Sequence, residues 1–233
     1  MSFIEFKDVV KVYGTEENKQ YAVNHVDFSI DEGEFVVILG QSGAGKSTVL
    51  NMLGGMDLPT SGTIKIDGKE ISKMNDDALS KYRASDIGFI FQFYNLIPSM
   101  TAYENVALTK DIVKNAFDAD EMLKAVGLED KRNKFPTQMS GGEQQRVSIA
   151  RALSKNPKFL LGDEPTGALD SETGRDVLIL IQKMCREKGK TTILVTHNES
   201  IAKCADKVIR MKNGKIAKVE KNSNPTDARE VEF

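Results

Sequence analysis

Apolar and polar residues alternate over residues 3 to 12 and again over 23 to 30, the period of half-buried strands, with a turn or loop from Gly14 to Gln20 between them. Phe35-Val36-Val37-Ile38-Leu39 contains no polar residue and ends at Gly40, which predicts a strand covered on both faces. Thr48 to Leu53 then reads as a helix, stopped by Gly54-Gly55. Thr63 to Gly68 reads as another half-exposed strand with its turn, and Ile87 to Phe91 as a second buried strand. Residues 101 to 156 show several helical stretches and no strand, the pattern of a helical insertion. Phe159-Leu160-Leu161 and Thr192-Ile193-Leu194-Val195 are two further buried runs, and a helix from about Glu172 to Lys188 lies between them. The last residues, Lys221 to Phe233, are polar and predicted to fray.

Each of the four buried runs is followed at once by small or polar residues: Gly40, Gln92, Asp163-Glu164 and His197. In open parallel sheets ligands sit outside the carboxyl ends of the strands, so these residues are expected to converge on one edge. The expected class is α/β, with a mainly parallel sheet and an inserted helical segment.

Composition narrows the picture. The 233 residues are long enough to bury a core, and 40% apolar residues with 18 glycines is an ordinary globular balance. The 32 basic and 34 acidic residues give −2, without the basic surplus of a protein that holds nucleic acid by bulk charge. Two cysteines, Cys185 and Cys204, cannot make a disulfide framework and point to a reducing compartment. The longest apolar runs, Phe35 to Leu39 and Val177 to Ile181, are five residues against the roughly 20 a membrane span needs. The start Met1-Ser2-Phe3-Ile4-Glu5-Phe6 lacks a basic, then apolar leader. A soluble, cytosolic domain is the expectation.

Gly40-Gln41-Ser42-Gly43-Ala44-Gly45-Lys46-Ser47 fits G-x-x-x-x-G-K-[ST]. Its glycines let consecutive N–H groups turn inward around phosphate oxygens, and the following helix adds its positive N-terminal end. Lys46 would reach the β and γ phosphates and the Ser47 hydroxyl would ligate Mg²⁺. Asp163, at the end of its strand, would hold the same ion through water, leaving Glu164 to polarise an attacking water as general base. Gln92 would bind Mg²⁺ or that water. His197 reads either as a hydrogen-bonded strand-end histidine or as a donor to the γ-phosphate; His25, in an amphipathic strand, reads as structural. Ser140-Gly141-Gly142-Glu143-Gln144-Gln145-Arg146 opens a helix, and Ser-x-x-Glu is a capping box. The two glycines inside it would bare N–H groups for a second anion, with the Glu143 carboxylate turned back toward its own backbone.

These residues, in this order, resemble the nucleotide-binding subunit of an ABC transporter over residues 1 to 220, with a helical subdomain at about 93 to 156 and a tail from 221 to 233. The phosphate loop at 40 to 47, Gln92, MSGGEQQR at 139 to 146, the acid pair in FLLGDEPTGALD and His197 carry the resemblance. It implies a RecA-like P-loop core with an N-terminal antiparallel β-subdomain, and ATP with Mg²⁺ as ligands. It further implies that Tyr13 stacks on adenine, that Thr48 belongs to the nucleotide site, that Gly55 to Gly62 is a family turn, and that Asp170 communicates across a dimer. Two copies would pair head to tail, Ser140, Gly141 and Gly142 of one closing on ATP held by Lys46 of the other. Hydrolysis would then release the pair and drive an integral membrane permease, with the chain peripheral on the inner face of the membrane.

Pro165-Thr166-Gly167-Ala168-Leu169-Asp170 and the short single cassette are similar to the macrolide-export, lipoprotein-release and cell-division group, and to antimicrobial-peptide resistance ATPases. Met139, Glu143, Ala168 and Gly162 depart from the group's commoner residues. A mechanical or signalling engine would carry the same residues. A soluble ABC ATPase acting on DNA or ribosomes fits less well, since only 116 residues separate Lys46 from Asp163, without sustained heptads. Phe93-Tyr94-Asn95-Leu96-Ile97-Pro98 either docks the permease or packs under the helical insertion.

Overall fold

The computed structural model describes residues 2–232. Met1, where the leader reading begins, and Phe233, the end of the tail, lie outside the described residues. The strands are β1 (Ile4–Tyr13), β2 (Gln20–Ile30), β3 (Phe35–Leu39), β4 (Ser61–Ile66), β5 (Lys69–Glu70), β6 (Ile87–Phe91), β7 (Phe159–Asp163), β8 (Thr191–Thr196), β9 (Lys207–Lys212) and β10 (Lys215–Lys221). The α-helices are α1 (Lys46–Leu53), α2 (Asp76–Ser85), α3 (Ala102–Ala107), α4 (Ala119–Ala125), α5 (Gly141–Ser154), α6 (Ser171–Lys188) and α7 (Glu199–Ala202).

Two sheets form. The antiparallel one has the order β2-β1-β4-β5, and the larger one β10-β9-β3-β8-β7-β6. In the larger sheet β9, β3, β8, β7 and β6 run parallel, while β10 turns back on β9. The unbroken apolar runs are explained by what covers this sheet. Phe35, Val37 and Leu39 of β3 pack with Val106 of α3, Leu123 of α4, Val147 of α5 and Leu178 of α6. Val36 and Ile38, pointing the other way, pack with Phe6 of β1, Ile64 of β4 and Val49 and Leu53 of α1. Successive side chains of a strand face opposite sides, so a strand between two cores must be apolar at every position. Residues 101 to 156 hold α3, α4, α5 and three short 3₁₀ turns without a strand, as the pattern predicts.

The pattern leaves β9 and β10 unassigned, although Asn213-Gly214, at φ +51° and +73°, is a strong two-residue hairpin signal between them. The tail corrects the expectation of fraying. The Gln182 side-chain amide of α6 donates to Thr226 O at 3.0 Å and accepts from Ala228 N–H at 2.9 Å, and Arg175 Nε donates to Val231 O at 3.0 Å. Ala228 and Val231 join the core of the helical face, Val231 only 3% exposed. A few scattered apolar residues in a polar segment give no periodicity to read; the partner groups come from a helix some fifty residues earlier. Val231→Asp is accordingly expected to cost about 3 kcal/mol and lower the melting temperature by roughly 6–12 °C, because it places a carboxylate where a valine is buried. An unchanged melting temperature would show that the tail does not dock in solution.

Candidate active site

β3 delivers the chain into the glycine loop, and three backbone facts shape it. Gly40 faces Met211 O, which a Cβ would approach to 2.5 Å; Gly45, at φ +98°, faces Ala22 O, which a Cβ would approach to 2.3 Å. Gly43 adopts φ +76°, the left-handed region that favours glycine. Gly45 is the residue before α1, whose first turn contains no acid and no side-chain cap, so its end N–H groups are left for an anion. Lys46 arches back over the loop, its Nζ donating to Gln41 O at 3.1 Å.

This loop forms one wall of an open cavity of about 890 Å³. Gln41, Ser42, Gly43, Gly45, Lys46, Ser47 and Thr48 line it from the loop and α1; Gln92, Asp163, Glu164 and His197 line it from the ends of β6, β7 and β8. The expected convergence of strand ends is therefore present, because the order β3-β8-β7-β6 sets those ends side by side. Tyr13, at the end of β1, lines the mouth with half its ring exposed, and its hydroxyl donates to Asp57 Oδ2 at 2.6 Å. Gln20, Tyr21 and Ala22 of β2 also line the cavity. No motif marked them; they reach it because the antiparallel sheet lies against the loop. Gly40 and Ala44 line instead an adjoining cavity of about 570 Å³ behind the loop.

Ser47 Oγ donates to Asp163 Oδ1 at 3.4 Å. Burial raises the Asp163 carboxyl above its ordinary range, and the neighbouring Glu164 charge adds to this, opposed by the Ser47 hydroxyl and the Lys46 charge. A group that is hard to ionise alone suits a place where a cation is to arrive. Among the described residues there is no cluster of three or more His, Cys, Asp or Glu that could hold a metal. A serine hydroxyl, one carboxylate and the Gln92 amide are hard oxygen donors too few for a protein cage, which fits Mg²⁺ completed by phosphate and water oxygens.

Glu164 sits at φ +46°, a backbone conformation uncommon for a residue with a side chain. Its Oε1 pairs with His197 Nδ1 at 2.9 Å, and its Oε2 accepts from Thr196 Oγ1, also at 2.9 Å. The His197 side chain is 70% exposed, that of Glu164 only 18%. Gln92 lies over the loop beyond Glu164, its Nε2 3.2 Å from where a Cβ on Gly167 would stand. Gln145, buried in α5, donates to Pro165 O at 2.7 Å and ties that helix to the same loop. Together these groups can hold a polyphosphate, a divalent cation and a carboxylate directed at a water.

Ser140, Gly141, Gly142, Glu143 and Asp170 do not line this cavity. The capping box is present: Ser140 N–H donates to Glu143 Oε2 at 2.8 Å and Glu143 N–H to Ser140 Oγ at 3.2 Å, so the carboxylate is turned back as expected. That backbone bond, with Lys131 nearby, holds the Glu143 carboxyl below its usual range. The two glycines answer first to packing within the chain. A Cβ on Gly142 would lie 2.0 Å from Thr173 Cγ2 of α6, and one on Gly141 2.7 Å from the Tyr94 hydroxyl. Asp170 caps α6 through Thr173 N–H at 3.0 Å.

Elsewhere, His25 pairs with Asp8 at 2.5 Å, both at φ +50°, where β1 and β2 slip register, away from the cavity. Cys185 and Cys204 are free and buried, and burial pushes the Cys204 thiol up to about 11, unsuited to nucleophilic or metal chemistry. In the loop after β6, Leu96 packs on the core, as the packing alternative expects, while Phe93 is 75% exposed. Among the described residues no helix is long and apolar enough to cross a membrane.

The family model described as "ABC transporter" matches residues 23–167. The chain is 45% identical over 227 residues to the uncharacterized ABC transporter ATP-binding protein MJ0796 of Methanocaldococcus jannaschii, covering 94% of this chain and 97% of that one. It is 45% identical over 221 residues to the macrolide export ATP-binding/permease protein MacB of Mannheimia succiniciproducens, covering 93% of this chain but 34% of that longer protein. Among solved structures, the dimeric post-hydrolysis state of the MJ0796 ATP-binding cassette bound to ADP and Pi superposes with a TM-score of 0.85 at 44% identity, over 94% of this chain and 98% of that one.

Proposed function

Because the chain belongs to the ABC transporter family and is its ATP-binding, ATP-hydrolysing domain, we propose that it is an engine in which two copies close on ATP and drive a membrane permease. The observation that carries the reading is the single cavity shared by the glycine loop, Gln92, Asp163-Glu164 and His197. In it the loop N–H groups and Lys46 hold the ATP phosphates, Tyr13 faces the base at the cavity mouth, and Thr48 follows on from the loop. Ser47, Asp163 and Gln92 would hold Mg²⁺, which when bound neutralises charge developing on the phosphate oxygens.

Glu164 takes a proton from a water as the water oxygen bonds to the γ-phosphorus and the bridging bond to ADP breaks, the bond pair leaving with ADP. His197 meets Glu164 through Nδ1, and its exposed ring can turn so that a ring N–H donates to the γ-phosphate instead. Ser140, Gly141 and Gly142 serve the partner's ATP rather than their own, which accounts for their place outside the cavity, with Asp170 one loop away from Glu164. A homodimeric relative supports this arrangement.

The membrane partner and cargo follow from likeness to MacB, whose name joins an ATP-binding part to a permease. The chain matches the ATP-binding share of such a protein, and in this reading it works with the permease on the inner face of the membrane. The cargo belongs to the macrolide, antimicrobial-peptide or lipoprotein class. A tagged Glu164→Gln chain, loaded with ATP and mixed with detergent-solubilised native membranes, is expected to bring down one integral membrane protein. Recovery of ribosomes or cytosolic factors alone, under conditions where the dimer forms, would overturn the proposal.

A further inference from the structure

We infer that Thr196, outside every motif that marks the nucleotide site, is the positioning residue that aims the Glu164 carboxylate; the inference rests on Glu164 being the general base. Thr196 ends β8, opposite Leu39 in the register with β3, and is 1% exposed. Its hydroxyl has only one possible arrangement. Asn198 N–H donates to Thr196 Oγ1 at 3.1 Å, and a backbone N–H cannot accept. The single hydroxyl proton is therefore committed to Glu164 Oε2 at 2.9 Å. A β-branched side chain in a strand has little χ1 freedom, so the donor is also fixed in space.

The second contact of the carboxylate is different in kind. His197 is mostly exposed, and its pairing with Oε1 must yield when the imidazole turns to a phosphate. What remains when His197 turns away is the buried hydroxyl. Holding Oε2 leaves Oε1 as the oxygen free to receive a proton from water. The Thr196 carbonyl meanwhile accepts from Gly40 N–H at 3.4 Å, so the same residue references the base to the first glycine of the phosphate loop.

The test compares ATP turnover and nucleotide binding in the parent, Thr196→Val, Thr196→Ser, Glu164→Gln and the Thr196→Val/Glu164→Gln double variant. Thr196→Val is expected to lower kcat about tenfold with KM for ATP within about twofold, the scale of one lost hydrogen bond to a charged group. Thr196→Ser, which keeps the hydroxyl, should return to within about threefold of the parent. On the Glu164→Gln background Thr196→Val should change single-turnover hydrolysis by less than about twofold, since positioning an absent base has no effect. A further tenfold loss there, or parent kcat in Thr196→Val while Glu164→Gln is inactive, would overturn the inference. Parent activity in Glu164→Gln would instead overturn the base assignment beneath it. Should Thr196→Val fail to bind nucleotide, Thr196→Ala in the same cycle decides by the same criteria.

Discussion

Replacing Glu164 by glutamine is expected to leave ATP binding at the parent affinity while lowering hydrolysis by roughly 100-fold or more, the range that removal of a positioned general base gives. The substitution keeps the shape and both neighbours of the side chain. The Gln carbonyl oxygen can still accept from Thr196 Oγ1 or His197, whose bonds to Glu164 are 2.9 Å each. What it removes is the capacity to take a proton. The variant should therefore stall with ATP bound and accumulate as a dimer, read by size-exclusion chromatography with ATP against ADP. Hydrolysis at the parent rate would refute the assignment of Glu164, and ATP-dependent dimers absent from a binding-competent variant would refute head-to-tail closure.

Lys46→Ala acts one step earlier. The lysine is almost fully buried, its visible partner is the Gln41 carbonyl within its own loop, and the cavity beside it is where phosphate charge would be neutralised. Charge-assisted contacts to phosphate of this sort are worth about 2 kcal/mol or more, so ATP affinity is expected to fall at least roughly 30-fold. Titration with a fluorescent ATP analogue measures it, with circular dichroism to show that the loop substitution leaves the fold intact. Only one internal hydrogen bond is lost, so melting should move little. Unchanged affinity would mean that the glycine loop is a turn with an incidental lysine.

The two variants differ in a way that separates binding from chemistry. Glu164→Gln should retain nucleotide and lose turnover, whereas Lys46→Ala should lose both through binding. The reverse outcome would exchange the roles assigned to the two sides of the cavity.

Much of this was legible in the chain because it depends on short-range regularities. Phe35 to Leu39 is apolar at every position because both faces of its strand are covered. That requirement is written in five consecutive residues. Gly43 and Gly45 appear where the backbone must adopt positive φ, and Ser140 with Glu143 form a cap, because those needs are local too. The polar residues at the ends of four buried runs could be placed on one edge from the general behaviour of parallel sheets. The places expected for Tyr13, Thr48 and Asp170 came from the resemblance alone. Of these the structure sets Tyr13 and Thr48 at the cavity and Asp170 outside it.

Tertiary structure decided the rest, and always through partners distant in sequence. Thr196 is one of several threonines until its hydroxyl is found on a carboxylate thirty-two residues away. Gly142 could be read as baring N–H groups; only the packing of α5 on α6 shows that Thr173 leaves no room for a Cβ there. The polar tail looked free because its few apolar residues make no period, yet Gln182 and Arg175 of α6 supply its hydrogen bonds. By itself the sequence determined which segments must be buried and which backbone turns need glycine, since sterics and periodicity act between near neighbours. Which oxygen of Glu164 is held, and by what, was decided only when β7 and β8 came side by side, since a side-chain hydrogen bond depends on an approach of a few ångströms that spacing along the chain does not encode.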